Sequence, residues 1–205
     1  MARLKSDNDP QPQVISRLKV VTALQSCGNE AAAKDLDYSH VVDLYSYDTK
    51  NKYTEWQNTV PPNPTKAFHL LNSAEKDVVL LPLDNCIVKD PSLTKGGITD
   101  SAFLTNDELL FVEFKTEATS STKDALQRNS KKARKQLWHT YESILEPKFK
   151  EQEIELAKEL NIEFYIMFDS SLVVTAASAS FMNQMMNFQR EHGHPLFFDN
   201  KHEIV

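Results

Sequence analysis

Residues 96–115 place two apolar runs on either side of a short polar break, a pattern that predicts a β-hairpin. The register of this hairpin constrains the fold more than its turn does. If Leu104 faces Leu109 across the turn, counting back along both strands places Asp100 directly opposite Glu113. Side chains alternate between the two faces of a strand, so these two carboxylates lie on one face of the hairpin.

The facing carboxylates predict a bound cation. Opposed side chains in such a pair have Cβ atoms about 4.5–5.5 Å apart, and like charges at that distance destabilise the pair. A hard divalent ion held by oxygen atoms, such as Mg²⁺ or Mn²⁺, would compensate them. Lys115 follows Glu113 by two residues and adds a positive group on the same face. The alternative is a half-exposed hairpin with an ordinary surface ion pair.

This arrangement resembles the active site of the PD-(D/E)xK nuclease superfamily. The pattern of that superfamily is an Asp on one strand, roughly a dozen residues, and Glu-x-Lys on the next strand. Here twelve residues separate Asp100 from Glu113-Phe114-Lys115, and Thr99 stands in place of the Pro, which members often lack. The resemblance covers roughly residues 66–170 and implies metal-dependent hydrolysis of phosphodiester bonds, with DNA as the substrate.

The resemblance also implies a role for each matched residue. Asp100, Glu113 and the backbone carbonyl of Phe114 would bind one or two Mg²⁺ or Mn²⁺ ions. Lys115 would orient the attacking water or stabilise the charge that develops on the phosphate. Because cleavage of both strands of a duplex usually needs two sites, a homodimer or larger complex is one open possibility.

Two further groups of site residues come with the same resemblance. Some members of the superfamily add a Glu from the first helix of the core, for which Glu75 is the candidate and Asp84 a weaker substitute. Gln136 and Tyr141, after the Glu-x-Lys strand, are similar to the Gln-x-x-x-Tyr motif of RecB-type nucleases. Tyr141 follows Gln136 by five residues instead of four, which favours a core position for the tyrosine and leaves Gln136 as the candidate catalytic residue.

A predicted helix over residues 123–145 carries the one basic segment of the chain. Residues 123–135 contain six Lys or Arg and one Asp, although the net charge of the whole chain is −6. A basic footprint is typical of nucleic-acid binding, and the acidic whole argues against it. The segment is either a solvated helix face or a surface for the phosphate backbone. The candidate contacts are Lys123, Arg128, Lys131, Lys132 and Lys135.

The order of predicted elements matches the αβββαβ core of the restriction-endonuclease-like fold, an α/β fold with a mixed central sheet flanked by helices. The pattern predicts a helix over 65–76, a buried strand over 78–83, the hairpin, the basic helix, and a strand over 162–168. Residues 1–60 are predicted to be a mostly helical N-terminal extension. Residues 61–205 would form the nuclease-like domain.

The composition is typical of a globular protein, with 40% hydrophobic and 25% charged residues. No apolar run approaches the ~18 residues of a membrane span. Cys27 and Cys86 are far apart, which disfavours a disulfide or zinc framework and favours the cytoplasm. The alternative functions are a non-catalytic nucleic-acid-binding or assembly module on the same fold, and an α/β interaction protein with a chance motif.

Overall fold

The protein has an α/β fold in which a six-stranded sheet lies between a layer of helices and a second, four-stranded sheet. A computed structural model describes residues 4–6, 9–49, 53–117, 122–171 and 178–205. The helices are α1 (Gln13–Arg17), α2 (Val20–Leu24), α3 (Glu30–Lys34), α4 (Lys123–His139), α5 (Glu146–Lys150), α6 (Leu156–Glu159) and α7 (Ser178–His192). The strands are β1 (Asp37–Ser39), β2 (Asp43–Asp48), β3 (Thr54–Gln57), β4 (Phe68–Leu71), β5 (Val78–Pro82), β6 (Ser101–Leu104), β7 (Glu108–Lys115), β8 (Asn161–Phe168), β9 (Leu196–Phe197) and β10 (Lys201–Glu203).

The larger sheet has the order β1-β5-β6-β7-β8-β9 and is mixed. Strands β5, β6 and β7 pair antiparallel, whereas β7 and β8 pair parallel and are joined through α4. The predicted hairpin register is confirmed, because Leu104 pairs with Leu109 and Ser101 with Val112. Asp100 precedes β6 by one residue, which places it level with Glu113.

The two faces of the larger sheet are covered differently. All helix residues of the main apolar core pack on the face that carries Leu109 and Phe111. The opposite face, which carries Leu110 and Val112, packs against the second sheet, of order β10-β4-β2-β3. The expectation of helices on both sides is therefore wrong. Both faces of β7 are apolar and must be buried. A second sheet can bury such a face as well as a helix can.

The N-terminal part of the chain contributes to all three layers, and β1 is the edge strand of the larger sheet. Helices α1 to α3 join the helical layer, and β2 and β3 form half of the second sheet. The extension is thus helical only in its first part. The helix expected over 65–76 is also wrong, because β4 runs through Phe68–Leu71 as a strand. Phe68 and Leu70 are fully buried and alternate with less buried neighbours, which is the period of a strand.

Helix α4 forms where the sequence predicts it. Thr122 caps its N-terminus by accepting a hydrogen bond from the Ala125 N–H at 3.4 Å. Leu126, Ala133 and Leu137 form its buried stripe. The helix continues as a π-helix over Thr140–Leu145. The further strand suggested by residues 172–174 lies outside the described residues.

Candidate functional site

The predicted site forms where β6 begins and β7 ends, on the face covered by helices. Asp100 lies directly before β6, and Glu113 and Lys115 lie on β7. Ala102 of β6 and Phe111 of β7 belong to the helix-facing core, so strand alternation places Asp100, Glu113 and Lys115 on that same side. The structure thus brings together the three residues that the sequence motif connects.

Backbone N–H groups hold the two carboxylates in place. The Phe114 N–H donates to Asp100 Oδ2 at 2.6 Å, and the Asp100 N–H donates to Glu113 Oε2 at 3.3 Å. Glu113 is only 1% exposed. Phe114 contacts the pair through its N–H, while its side chain packs toward the second sheet. Each carboxylate is therefore positioned by the backbone of the strand opposite it.

Lys115 connects the carboxylates to α4. Its Nζ forms an ion pair with Glu113 Oε1 and donates to Gln136 Oε1 at 3.2 Å. Gln136 Nε2 donates in turn to the carbonyl of Ile98 at 3.0 Å. The structure therefore places Gln136 at the site, as the similarity to RecB-type nucleases implies. Tyr141 is 5% exposed and packs its ring against Phe111, so it belongs to the core.

The two glycines before the site allow the loop to lie directly on α4. A Cβ on Gly97, whose φ is +79°, would lie 2.8 Å from Gln136 Cγ. A Cβ on Gly96 would lie 2.3 Å from the ring of His139. Farther along, the Thr99 N–H donates to Thr140 Oγ1 at 2.9 Å. This close approach allows Gln136 to reach both Lys115 and the loop.

The electrostatics of the site show an excess of buried negative charge. Burial raises the pKa of Glu113 to about 7, although the Lys115 ammonium acts in the opposite direction. Burial, and next the charge of Glu113, raise the pKa of Asp100 well above its usual range. One lysine therefore does not offset two facing carboxylates. Carboxylate oxygens are among the ligands that a hard cation such as Mg²⁺ accepts.

Two more carboxylates lie close enough to influence the pair. Asp84 follows β5, its N–H donates to the carbonyl of Asp100 at 3.3 Å, and its charge contributes to the raised pKa of Glu113. Asp48, the last residue of β2, contributes likewise to the raised pKa of Asp100. The position of Asp84 directly after a buried strand was a usable sequence signal. Asp48 had none, because its approach depends on how the second sheet packs.

Glu75 lies away from this site, contrary to its proposed place among the ligands. It is exposed, with φ of +50°, in the loop between β4 and β5. The neighbouring Lys76 pairs with Asp107 at 2.7 Å, in the turn between β6 and β7. That turn is at the opposite end of the hairpin from Asp100. Because the expected helix is a strand, no helix carries Glu75 toward the carboxylates.

The basic residues of α4 form an exposed surface near the site. Arg128, Lys131, Lys132 and Lys135 are exposed, and none of them forms an ion pair within 4.0 Å among the residues that the structure describes. Lys123 begins the helix, and its side chain lies outside the described part. Gln136 directly follows Lys135, so this basic face borders the carboxylate site.

Within the described residues, no three His, Cys, Asp or Glu side chains are grouped to hold a metal ion. In the same part of the chain, no helix is long and apolar enough to cross a membrane.

Comparison with known proteins finds no match among protein-family models, curated proteins or solved structures.

Proposed function

We propose that this protein is a metal-dependent nuclease of the PD-(D/E)xK type that hydrolyses phosphodiester bonds in DNA. The observation that carries the proposal is the buried, facing pair of Asp100 and Glu113 with Lys115 beside it. A hairpin without such a task gains nothing from two facing carboxylates whose pKa values are both raised by burial. Perturbed carboxylates of this kind are typical of catalytic sites.

The order of elements supports a restriction-endonuclease-like core. Strands β5, β6 and β7, helix α4 and strand β8 follow one another as βββαβ. In this proposal α1 to α3 take the place of the first helix of the core. Strands β1 to β4 are then an insertion, and the second sheet stands where a helix would cover the other face.

The residues of the site would divide the work of hydrolysis. Asp100 and Glu113 would hold Mg²⁺ or Mn²⁺, and Asp84 is better placed than Glu75 to assist them. When bound, the ion polarises the phosphodiester and lowers the pKa of a water. Lys115 would orient that water or stabilise the negative charge that develops on the phosphate. Gln136 would position Lys115, and the basic face of α4 would contact the DNA backbone.

The test is a calorimetric titration with Mg²⁺ followed by cleavage assays on plasmid and oligonucleotide DNA. Glu113→Gln should abolish both saturable binding and cleavage. Glu75→Gln is the matched control, because it neutralises an exposed carboxylate at the far end of the same hairpin. It should change neither property. If the wild type binds no Mg²⁺ at millimolar concentration, the catalytic proposal is wrong.

A non-catalytic nucleic-acid-binding module is the second candidate. It is favoured by the ion pair with Lys115 that already occupies Glu113 Oε1. This candidate predicts DNA binding without metal and no cleavage by the wild type. Glu113→Gln would then leave the affinity for DNA unchanged.

A further inference from the structure

A cavity of about 380 Å³ lies between α4 and α7, away from the carboxylate site. We call it the α4–α7 cavity. Its lining includes Lys131, Arg134, Lys135, Trp138, Glu191 and His192. It therefore combines three basic side chains from consecutive turns of α4 with an aromatic wall.

Arg134 has a shielded side-chain N–H group that a bound anion could satisfy. Its Nε is shielded from solvent and has no hydrogen-bond partner within the described residues. Burial also lowers the pKa of its guanidinium, and Glu191 is the one charge that acts against this. A shielded guanidinium N–H without an acceptor is unfavourable, and a planar fork of donors suits an oxyanion.

The aromatic wall beside Arg134 is built by stacking. The rings of Trp138 and His192 are parallel to within 23°, with centroids 4.0 Å apart. Phe188 meets Trp138 edge-on at 6.1 Å. Aromatic side chains of this kind are the surfaces on which unpaired bases stack. The cavity thus offers an apolar surface directly beside a cluster of cations.

The charges favour phosphate over a carboxylate as the bound anion. Lys131 and Lys135 are exposed and flank Arg134 on the same helix. Glu142 and Glu191 also line the cavity and oppose any anion. A carboxylate would bring only one negative charge and two acceptor oxygens to a cavity that is lined by both basic and acidic side chains. A phosphate group offers more acceptor oxygens and, at a terminus, more charge for the three basic side chains.

The cavity and the carboxylate site lie on opposite flanks of α4. At 100° per residue, Arg134 and Gln136 are about 160° apart around the helix. On the exposed side of the helix, Arg128 and Lys132 lie between them and outside the cavity. A helix is about 10–12 Å wide. A nucleic-acid strand held at the carboxylates can therefore cross this basic face and reach the cavity.

We propose that the α4–α7 cavity binds a phosphate group of a nucleic-acid strand, with Arg134 as its principal ligand and the stacked pair of Trp138 and His192 as the aromatic wall beside the adjoining base. The inference rests on the proposed function only for the source of the phosphate. A free nucleotide would present the same chemistry, and the test below separates the two sources.

The test is a fluorescence titration in EDTA, because Trp138 lines the cavity while Trp56 is buried between the sheets and donates to Asp37. The titrants are inorganic phosphate, a nucleoside monophosphate, and a short single strand with or without a 5′ phosphate. Arg134→Gln should weaken phosphate and nucleotide binding by about tenfold or more. Arg128→Gln removes the same charge from the same helix outside the cavity, and it should change free-phosphate binding less than about twofold.

The source of the phosphate follows from the relative affinities. Tighter binding of the single strand than of the mononucleotide supports the nucleic-acid source, and the reverse order assigns the cavity to a free nucleotide and overturns that source. If Arg134→Gln does not fold by circular dichroism, Lys131→Gln and Lys135→Gln replace it, since both residues line the cavity and both variants keep Trp138 as the reporter, and each should weaken binding. No saturable response of the wild type up to about 10 mM phosphate would overturn the inference.

The two proposals can fail separately. Glu113→Gln should abolish cleavage and leave phosphate binding in EDTA unchanged. A wild type that binds phosphate and cuts nothing would refute the nuclease and retain the cavity. If the wild type cuts DNA and Arg134→Gln binds phosphate normally, the nuclease is retained and the cavity proposal is refuted.

Discussion

Asp100 and Glu113 face each other across β6 and β7, and the Asp100 N–H donates to Glu113 Oε2 at 3.3 Å. The same Asp100 accepts from the Phe114 N–H at 2.6 Å. The backbone thus fixes two carboxylates that repel each other. Such an arrangement lowers the stability of the fold unless a cation compensates the charges, as the proposed function expects.

Asp100→Asn should therefore stabilise the protein at pH 8 in the absence of metal. Burial, and next the charge of Glu113, raise the pKa of Asp100 well above its usual range, so the stability that is present below its unfolded pKa is lost as the pH rises through its folded pKa. Removing one of the two charges relieves this loss. The gain in unfolding free energy should be about 1–3 kcal/mol at pH 8 and smaller at pH 5, as measured by urea unfolding.

Asp90→Asn is the control for this experiment. Hydrogen bonds from Ser92 lower the pKa of Asp90, which is the opposite direction, and its carboxylate is exposed. Its contribution to stability is present above its unfolded pKa and is lost as the pH falls. The substitution should therefore give no stabilisation at pH 8. Equal effects of the two substitutions would contradict the account of the facing pair.

Lys115 and Gln136 should affect catalysis without being needed for metal binding. Lys115→Met removes the cation beside Glu113, so cleavage should fall about 10²–10³-fold while Mg²⁺ binds at least as tightly. Gln136→Met removes only the group that positions Lys115, through the 3.2 Å contact. Cleavage by Gln136→Met should therefore fall less than cleavage by Lys115→Met, by about tenfold. Single-turnover cleavage and calorimetry on both variants measure the two properties, and a larger loss for Gln136→Met would contradict this order of roles.

The sequence predicted the register of the two facing carboxylates better than it predicted the surrounding fold. The Asp100–Glu113 register depends on two strands joined by a short turn, so local alternation was sufficient to derive it. Gln136 was named from its similarity to the Gln-x-x-x-Tyr motif, and the predicted helix that carries it follows β7 directly in the chain. These relationships involve neighbours in the chain, where periodicity is informative.

The features that the sequence did not predict, β4 and the second sheet, depend on pairing between strands that are far apart in the chain. Strand β4 pairs with β10, where His69 lies opposite Lys201, a partner more than a hundred residues away. Its four residues are too few for a local pattern to separate strand from helix. The same pairing builds the second sheet that carries Asp48 toward the site and leaves Glu75 at the far end. Long-range packing therefore decided which additional carboxylates approach the pair.

Gly97 should be needed both for its backbone conformation and for the space that it leaves to Gln136. Gly97→Ala places a Cβ 2.8 Å from Gln136 Cγ at a φ of +79°. Gly193 provides a matched control, because its φ is +77° and nothing lies within 4 Å of its added Cβ. An L residue at positive φ costs about 1–2 kcal/mol in the left-handed helical region. The cost at Gly97 is larger, because its ψ of 144° lies near a region that essentially only glycine adopts.

Gly97→Ala should lower the unfolding free energy further than Gly193→Ala and should also reduce cleavage, because the added methyl group displaces Gln136 from Lys115. Gly193→Ala should retain full cleavage per folded molecule. The measurements are urea unfolding and single-turnover cleavage on both variants. Identical behaviour of the two would show that the contact with Gln136 has no role in the site.

The basic face of α4 should determine how DNA affinity depends on salt. Each phosphate contact releases counterions, so Lys132→Gln and Arg128→Gln should each reduce the slope of log K against log salt by about 0.9 for duplex DNA. Lys158→Gln is the control, because Lys158 is exposed but pairs with Glu155 at 2.8 Å on a different helix. It should leave the slope unchanged. Fluorescence anisotropy at several salt concentrations, with Glu113→Gln as the background to prevent cleavage, measures the slopes. Equal slopes for all variants would mean that the exposed cations of α4 form a solvated helix face and that DNA binds elsewhere.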